Sequence, residues 1–589
     1  MARARANGGG PGPPKCRTVS LSLTASLKRA PHAHQRLVIR KLAASSLALS
    51  FAAHVTSLVL QAMLLETFSG RAAPLQAKKF EQVVMNTLNA IAALGGVRFQ
   101  ARANNVLYAD VQARVERLAP RLGVNAAMLR EHVVDVLARA DVTFGALTNT
   151  RRFLEQSIAR DVKACLSRAI KKMLYQVLQY AAGLRWPGRA RTAEEKDEAK
   201  NASEQARENV KHINAGQVNK VAPGVRRVYR QAVGKAMSPD VLPRLAAEPL
   251  EPGNVRVIFG VATWLKARGA PLVALSPTHN NLQYVRYDAN AVVDMFPVCK
   301  AAAKRAVERL PKNTAQEKRL ATFKRAAFSQ LLPGVRRTVV ASMSSFTCNG
   351  TVVRVLCTPG GESQGRFHGG GGNAKASKAV WLDSLSPAAR AALAHKTVVV
   401  CDPNLDDVGV FARQGRKGTF RITRASLLRA RDTRRQMHAQ EEARKATRVR
   451  FQGQRRTVAA IDEQRRTSDI GRCVDLDELF ELAQEDTPAF AATWTFSCQE
   501  RWRKAQWRSE RGEQRLLAAL MHKFRAKFGP PEDVVVYLGN GSCFSTHCSQ
   551  LTTRVCRRLA WPPLPDSRWR GGMAARRAGA LRVPRAHDK

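Results

Sequence analysis

Residues 42–65 carry no charge, and their polar and apolar positions separate at helical spacing. Ser46, Ser50, His54, Ser57 and Gln61 follow one another at steps of four, four, three and four, while Leu47, Phe51, Val55, Leu58 and Leu65 fall on the other side. That pattern predicts a buried amphipathic helix of a globular domain rather than a membrane span, and no membrane partner is expected. From there to about Trp186 the pattern stays helical. Phe80, Val83, Val84, Leu88 and Ile91 form one stripe, closed by Gly95-Gly96. Ile158, Val162, Leu166, Ala169, Met173, Val177 and Tyr180 form another, closed by Gly183 and Pro187 in the order helices favour. A polar run over residues 189–215 reads as an exposed helix or a linker. Helix returns over residues 299–329.

Period-two and β-branched runs appear elsewhere. Residues 255–259 and 283–287 read as short strands, with a loop over 275–281 between them. Residues 337–342 and 351–357 read as strands of a hairpin, with Cys348-Asn349-Gly350 as its turn. Residues 360–377 are Gly-rich and predict a flexible loop, since no Gly-Lys-Ser/Thr closes a P-loop there. The apolar run 397–401 ends in Asp402-Pro403-Asn404; Pro cannot donate to a ladder, so the strand stops at the acid. A turn over 405–409 leads into a second strand, and 419–423 continues the sheet. A charged helix is predicted over 426–450 and a long one over 494–527, with Trp494, Trp502 and Trp507 near its start. Those tryptophans suit either base stacking or packing against the sheet. Val534-Val535-Val536-Tyr537-Leu538 is a second buried strand, running into Gly539-Asn540-Gly541-Ser542.

Charge changes the picture. Lys+Arg number 97 against 46 Asp+Glu, a formal net charge of +51. An excess of that size points to a polyanionic partner, because each phosphate neutralised by Lys or Arg releases counterions. Arg160, Lys163 and Lys171 share one side of the helix carrying the second stripe and are candidate backbone contacts; a solvated helix face is the ordinary alternative. The first 65 residues contain no acid. Such a start fits a basic arm that binds nucleic acid or directs nuclear import, or an organellar (mitochondrial or plastid) transit peptide. Eleven Cys without regular spacing do not suggest a secreted disulfide scaffold.

Several of these stretches, in this order, resemble the eukaryotic relatives of the TnpB transposon proteins, the Fanzor proteins. Residues 398–411 resemble the family's strand-Asp-Pro segment, its first RuvC motif. Residues 345–353 resemble the hairpin upstream of it, with Asn349 where Asp often stands. Residues 284–288 are similar to a strand-Asp segment nearer the middle, and 534–542 look like the strand and Gly-Ser turn after the long helix. The resemblance covers roughly residues 40–560. It implies an α/β plus helical fold: an RNase H-like (RuvC) mixed sheet with a large N-terminal helical recognition lobe. It further implies an Mg²⁺-dependent DNA endonuclease of a transposable element, with guide RNA and duplex DNA as partners and the nucleus as its place.

By the same resemblance, Asp402 is the first catalytic acid and metal ligand, and Asn540 stands at the position of the second acid. RuvC-type sites hold two Mg²⁺ about 4 Å apart between carboxylates. A neutral Asn540 brings at most a carbonyl oxygen; Glu532 and Asp533 lie at the far end of that strand. Glu500, Glu510 and Glu513 of the long helix are other acids that could approach the site, although nothing in the sequence fixes this. The family's later Asp-Glu-x-x-Thr-Ser segment and CxxC zinc ribbon are not present in this sequence. Cys543, His547, Cys548 and Cys556 offer no CxxC pair. A bland alternative for Asp402 is a surface aspartate opening a turn, and a non-enzymatic basic DNA- or RNA-binding protein is the alternative to a nuclease. The expected organisation is a disordered basic arm over 1–40 and a mainly helical recognition lobe over 41–335. An incomplete RuvC/RNase H-like domain follows over 336–560, with a helical insertion at 426–527, and a disordered basic tail over 561–589.

Overall fold

The computed structural model describes residues 17–75, 77–97, 106–186, 192–277, 284–311, 313–357, 380–381, 391, 395–402, 407–413, 415–416, 418–466, 470–529, 533–539 and 580–583. The chain divides into two compact units. The first comprises residues 1–365 and 444–500, the second residues 366–443 and 501–589.

The first unit is mostly helical. Its elements run β1 (Arg17–Ser22), α1 (Leu23–Ser26), α2 (His32–Phe68), α3 (Phe80–Leu94), α4 (Val106–Arg121), α5 (Ala126–Leu129), α6 (Asp135–Arg139), α7 (Thr148–Ala181), α8 (Ala193–Asn214), α9 (Pro223–Val233), α10 (Val241–Ala247) and α11 (Pro252–Lys266). Then come β2 (Val285–Tyr287), α12 (Ala289–Met295), α13 (Pro297–Glu308), α14 (Gln316–Leu331), α15 (Arg337–Ala341), β3 (Met343–Cys348) and β4 (Val352–Cys357).

Helix α2 spans 37 residues, and from Lys41 to Thr67 it is enclosed on every side, not on one. Its most apolar window has a mean hydropathy of 1.7 and is 94% buried inside the unit, long and apolar enough for a membrane yet used here as a core helix. The polar face read from the sequence is inside as well. Ser46 Oγ donates to the carbonyls of Leu42 and Cys348, Ser57 Oγ to that of Ala53, and Gln61 Nε2 to that of Ile470 at 2.7 Å. Short hydroxyl side chains reach the carbonyl four residues back, so a buried helix can carry them without unmet hydrogen bonds. His54 lies flat on Phe490 at 3.7 Å, and Phe51 stacks on His132 at 4.6 Å and on Phe490 at 5.5 Å.

Strands β1, β4, β3 and β2 form an antiparallel sheet in that order. Asn349 Oδ1 accepts from the backbone N–H of Thr351 and Val352, and Gly350 takes a φ of 81° that a side chain would resist. The two family-like segments 284–288 and 345–353 are therefore joined through a β2–β3 pairing, Tyr287 opposite Phe346, with ring centroids 5.2 Å apart.

Several sequence expectations change here. Residues 337–341 are helix α15, and the hairpin's first strand is β3. The 255–259 run is the middle of α11. Pro252 at its first turn starts a helix, and Val255, Ile258, Phe259, Ala262 and Leu265 are buried at helical spacing. Of the 189–215 run, Ala193–Asn214 is helix α8, the first of the two alternatives read there: a Thr192–Glu195 capping box opens it, and Ala202, Ala206 and Ile213 pack inward. The arm drawn to residue 40 contains β1, an edge strand, and the start of α2.

The second unit begins with β5 (Val380–Trp381), β6 (Thr397–Asp402), β7 (Asp407–Arg413), β8 (Thr419–Thr423) and α16 (Arg424–Ala430). Helix α17 (Thr433–Ala446) leads back to the first unit and its β9 (Arg448–Phe451), β10 (Gln454–Thr457), α18 (Val458–Arg466) and α19 (Leu476–Ser497). Helix α20 (Glu500–Phe528), β11 (Val534–Gly539) and β12 (Ala580–Val583) complete the chain. The single charged helix expected over 426–450 is thus two helices broken at Asp432, whose φ is 52°, followed by a strand. The long helix begins at Glu500. Trp494 belongs to α19 and is buried in the first unit against Phe51 and Phe490, so it packs on neither a sheet nor a base. The domain drawn over 336–560 is divided accordingly: its hairpin and residues 444–500 lie in the first unit. Residues 580–583 of the expected tail are a strand.

The six-stranded sheet of the second unit has the order β5-β12-β11-β6-β7-β8. Strands β6, β7 and β8 are an antiparallel meander; β11 runs parallel to β6, β12 to β11, and β5 to β12. Helix α20 covers one face. Leu517, Met521, Phe524 and Phe528 pack with Val399, Cys401, Phe411, Ile422 and Val534. The fold is therefore α/β plus a helical unit, as the sequence predicts at that level.

Candidate functional site

Strand β6 is where the sheet changes direction: its neighbour on one side, β7, is antiparallel, and its neighbour on the other, β11, is parallel. The strand order also reverses between β6 and β11, since the chain moves outward from β6 to β7 and β8 and the other way from β11 to β12, and open α/β sheets bind ligands outside the carboxyl ends of their strands at such a point. The β-branched run 397–400 makes the strand, and Pro403 follows its last residue, Asp402. Asp402 pairs with Val410 of β7, and Cys401 with Leu538 of β11. The carboxyl ends of β6 and β11 therefore lie side by side, which is the neighbourhood the sequence assigned to Asp402 and to the turn after β11. By strand alternation position 402 shares a face with Val398 and Val400, opposite the face that α20 covers. Val400 is 45% exposed in the middle of the sheet. Asn540 lies outside the described residues, as do Cys543, His547, Cys548 and Cys556.

Of the acids named on the long helix, Glu513 has its side-chain contacts described. Glu513 is buried, and Arg431 holds it: Nε and Nη2 both donate to its Oε2, at 2.9 and 2.6 Å. The two backbones meet closely at this corner, where a Cβ on Gly512 would collide with the carbonyl oxygen of Ala430. Glu513 is thus a structural anchor for the turn between α16 and α17. Glu500 is the first residue of α20; the side chain of Glu510 is not among those described. Asp533 sits just before β11, at the end away from Asp402. Among the described residues no three His, Cys, Asp or Glu form a group able to hold a metal ion. Mg²⁺ needs several oxygen ligands, and a two-ion site needs shared carboxylates. The side chains of Asp402, Glu510 and Asn540, which the resemblance or the sequence places near such a site, lie outside those described.

The described cysteines at 165, 299, 348, 401, 473 and 498 are buried. Burial pushes the Cys299 thiol up to about 12 and raises that of Cys165, which keeps both protonated and unreactive.

The basic candidates stand on α7 of the first unit. Its inner stripe, from Ile158 to Val177, is buried, which turns the other side outward. Arg160 and Lys171 are exposed and Lys163 half-buried, so the helix does bring these three along one side. Arg160 Nε donates to the Gln156 carbonyl at 2.9 Å. Arg168 and Lys172, both exposed, extend the row, a continuation that their spacing from Arg160 and Lys171 already carries. None of the five has an ion-pair partner among the described residues. Such a row can bind phosphates without reading sequence. No protein-family model matches the chain, and no curated protein matches it either.

Proposed function

We propose that this chain is a nucleic-acid-binding protein of a transposable element, similar to RNA-guided DNA endonucleases with a RuvC-type site, working in the nucleus, whose own metal site is too depleted for efficient cleavage. The observation that carries the reading is the juxtaposition in one sheet of the strand ending at Asp402 and the strand 534–539, parallel neighbours at the point where the sheet reverses. The +51 charge supports the polyanion partner, for which the resemblance supplies guide RNA and duplex DNA. The weakness of the site is supported by the tethering of Glu513 to Arg431 and by the neutral Asn540 in the sequence.

The same two observations favour the second reading, a binder without catalysis, and one experiment separates the two. Purified protein with its copurifying RNA is incubated with duplex DNA and Mg²⁺ beside an Asp402→Ala control, and binding is titrated at rising salt. Salt-sensitive binding with weak, Asp402-dependent nicking supports the first reading. Binding with no Asp402-dependent cleavage supports the second. Salt-indifferent binding, or none, defeats both.

A further inference from the structure

Strands β9 and β10 form an antiparallel ribbon in the first unit, closed by Gln452-Gly453 with φ of 50° and 76°. Two central residues at positive φ make the tight turn that matches strand twist, so the ribbon is short and stiff. Its inner face is apolar: Phe451 is buried with Ile461 and Ala489, and Val449 and Ala492 pack beside them. The outer face is the opposite. Arg450 and Arg455 are direct cross-strand partners, and Arg448 follows two residues along, opposite Thr457. All three arginines are exposed. None has an ion-pair partner among the described residues. Arg456, of the inner parity, is engaged locally: its guanidinium lies 5.7 Å from the Phe451 ring, and it donates to Gln454 Oε1.

Like charges directly opposite each other on a ribbon destabilise it. Arg450 facing Arg455, with no acid pairing either among the described residues, opposes folding. The arrangement becomes favourable when an external polyanion lies across it.

We propose that the outer face of this ribbon docks on the phosphate backbone of double-stranded DNA, an assignment that rests on the nucleic-acid-binding reading above. Duplex rather than single strand follows from the face itself. Its aromatic, Phe451, is turned inward, so the outer surface offers charge but no platform on which unstacked bases could lie. DNA rather than duplex RNA follows from shape. A two-stranded ribbon, with strands about 4.8 Å apart, is admitted at the B-form major groove, about 12 Å wide, whereas the A-form major groove is deep and narrow. Arg448 and Arg450 lie about 6.7 Å apart along one strand, with Arg455 across from the second. The three guanidinium groups therefore address neighbouring phosphates and carry no sequence preference.

The test uses the full chain, with Arg448, Arg450 and Arg455 all changed to Gln. Binding to a labelled DNA duplex, an RNA duplex and a single strand is titrated over a range of KCl. For the DNA duplex the plot of log affinity against log salt should become shallower by about 2–3, one step of about 0.9 per lost contact, with affinity near physiological salt falling on the order of 10- to 100-fold. The melting temperature should stay level or rise, since a repulsive pair is gone. Should the triple variant fail to fold, the Arg450→Gln chain carries the test, with a slope shallower by about one. If wild type binds DNA and the variants bind with unchanged slope, the ribbon assignment is overturned while the proposed function stands. A loss confined to RNA or to the single strand overturns the choice of duplex DNA. Failure of the wild-type chain to bind any nucleic acid overturns the functional reading itself.

Discussion

Helix α2 of the first unit and strand β6 of the second are each the apolar centre of their unit, yet they are buried differently. From Lys41 to Thr67 α2 is covered on every side, including the face that carries serines, His54 and Gln61. Strand β6 is covered by α20 on the Val399–Cys401 face, while Val400 stands 45% exposed on the other. A fully enclosed element can only support the fold. An element with an open face, ending at a switch point in an acid, keeps room for a ligand. The contrast teaches where function can lie in each unit: on the outside of the helical core in the first, and at the uncovered end of the sheet in the second.

The largest effect should come from attacking the enclosed core. Phe51→Ala removes a ring with no exposure that stacks on His132 and Phe490, and it should destabilise the first unit by about 3–5 kcal/mol. Hydrogen exchange read peptide by peptide would report it; a loss below about 1 kcal/mol would mean that the enclosure is loose.

In the second unit the comparable weak point is electrostatic rather than apolar. Arg431→Met leaves Glu513 buried without its partner and should cost roughly 3 kcal/mol. The pair variant Arg431→Met with Glu513→Leu should recover most of it. If the single and double changes cost the same, Glu513 is not held in the way described.

A smaller effect depends on pH. Burial pushes the Glu155 carboxyl up to about 7; Glu81 adds to the rise and Arg152 opposes it. The folded state therefore holds this proton more tightly than the unfolded chain, whose ordinary value is 4.5. Stability of the first unit falls as pH rises from about 4.5 to about 7, by an amount on the order of 2 kcal/mol. Glu155→Gln should flatten that slope, as followed by denaturant midpoints between pH 5 and 8. A slope unchanged in the variant would remove Glu155 as its source.

The smallest effect should fall on the open face. Val400→Thr keeps the branched shape and adds a hydroxyl where water already reaches, so stability should move by less than about 0.5 kcal/mol. A loss of several kcal/mol would show that this face is covered after all, and the comparison with α2 would lapse.

Much of this was written in local pattern. The stripe of α3, the inner face of α7, the Asn349-Gly350 turn and the strands at 397–402 and 534–539 follow from spacing, turn chemistry and β-branching, which act over a few residues. Short apolar runs were ambiguous for the same reason. Residues 255–259 and 337–341 read as strands because the four apolar or β-branched positions in each fit either period; Pro252 is the signal for α11. The break between α19 and α20 at Cys498-Gln499 bears no Gly or Pro, so Trp494 was assigned to the wrong helix. The ribbon starts in the last residues of the expected 426–450 helix and continues within the expected helical insertion, because its Arg-rich strands lack the usual β signature, although Gly453 marks its turn.

What the sequence determined alone is the charge, the helical and strand stretches, and the acid that ends β6. Tertiary structure decided the rest. It set the pairing of β1 with β4 and of β6 with β11, the enclosure of the polar side of α2, the tethering of Glu513 by Arg431, and the outward turn of Arg448, Arg450 and Arg455. The physical reason is range. Periodicity and turn chemistry are fixed between near neighbours in the chain, whereas burial and pairing depend on partners far away in sequence. Only when those partners meet does a polar residue become a core residue or a charge become a surface.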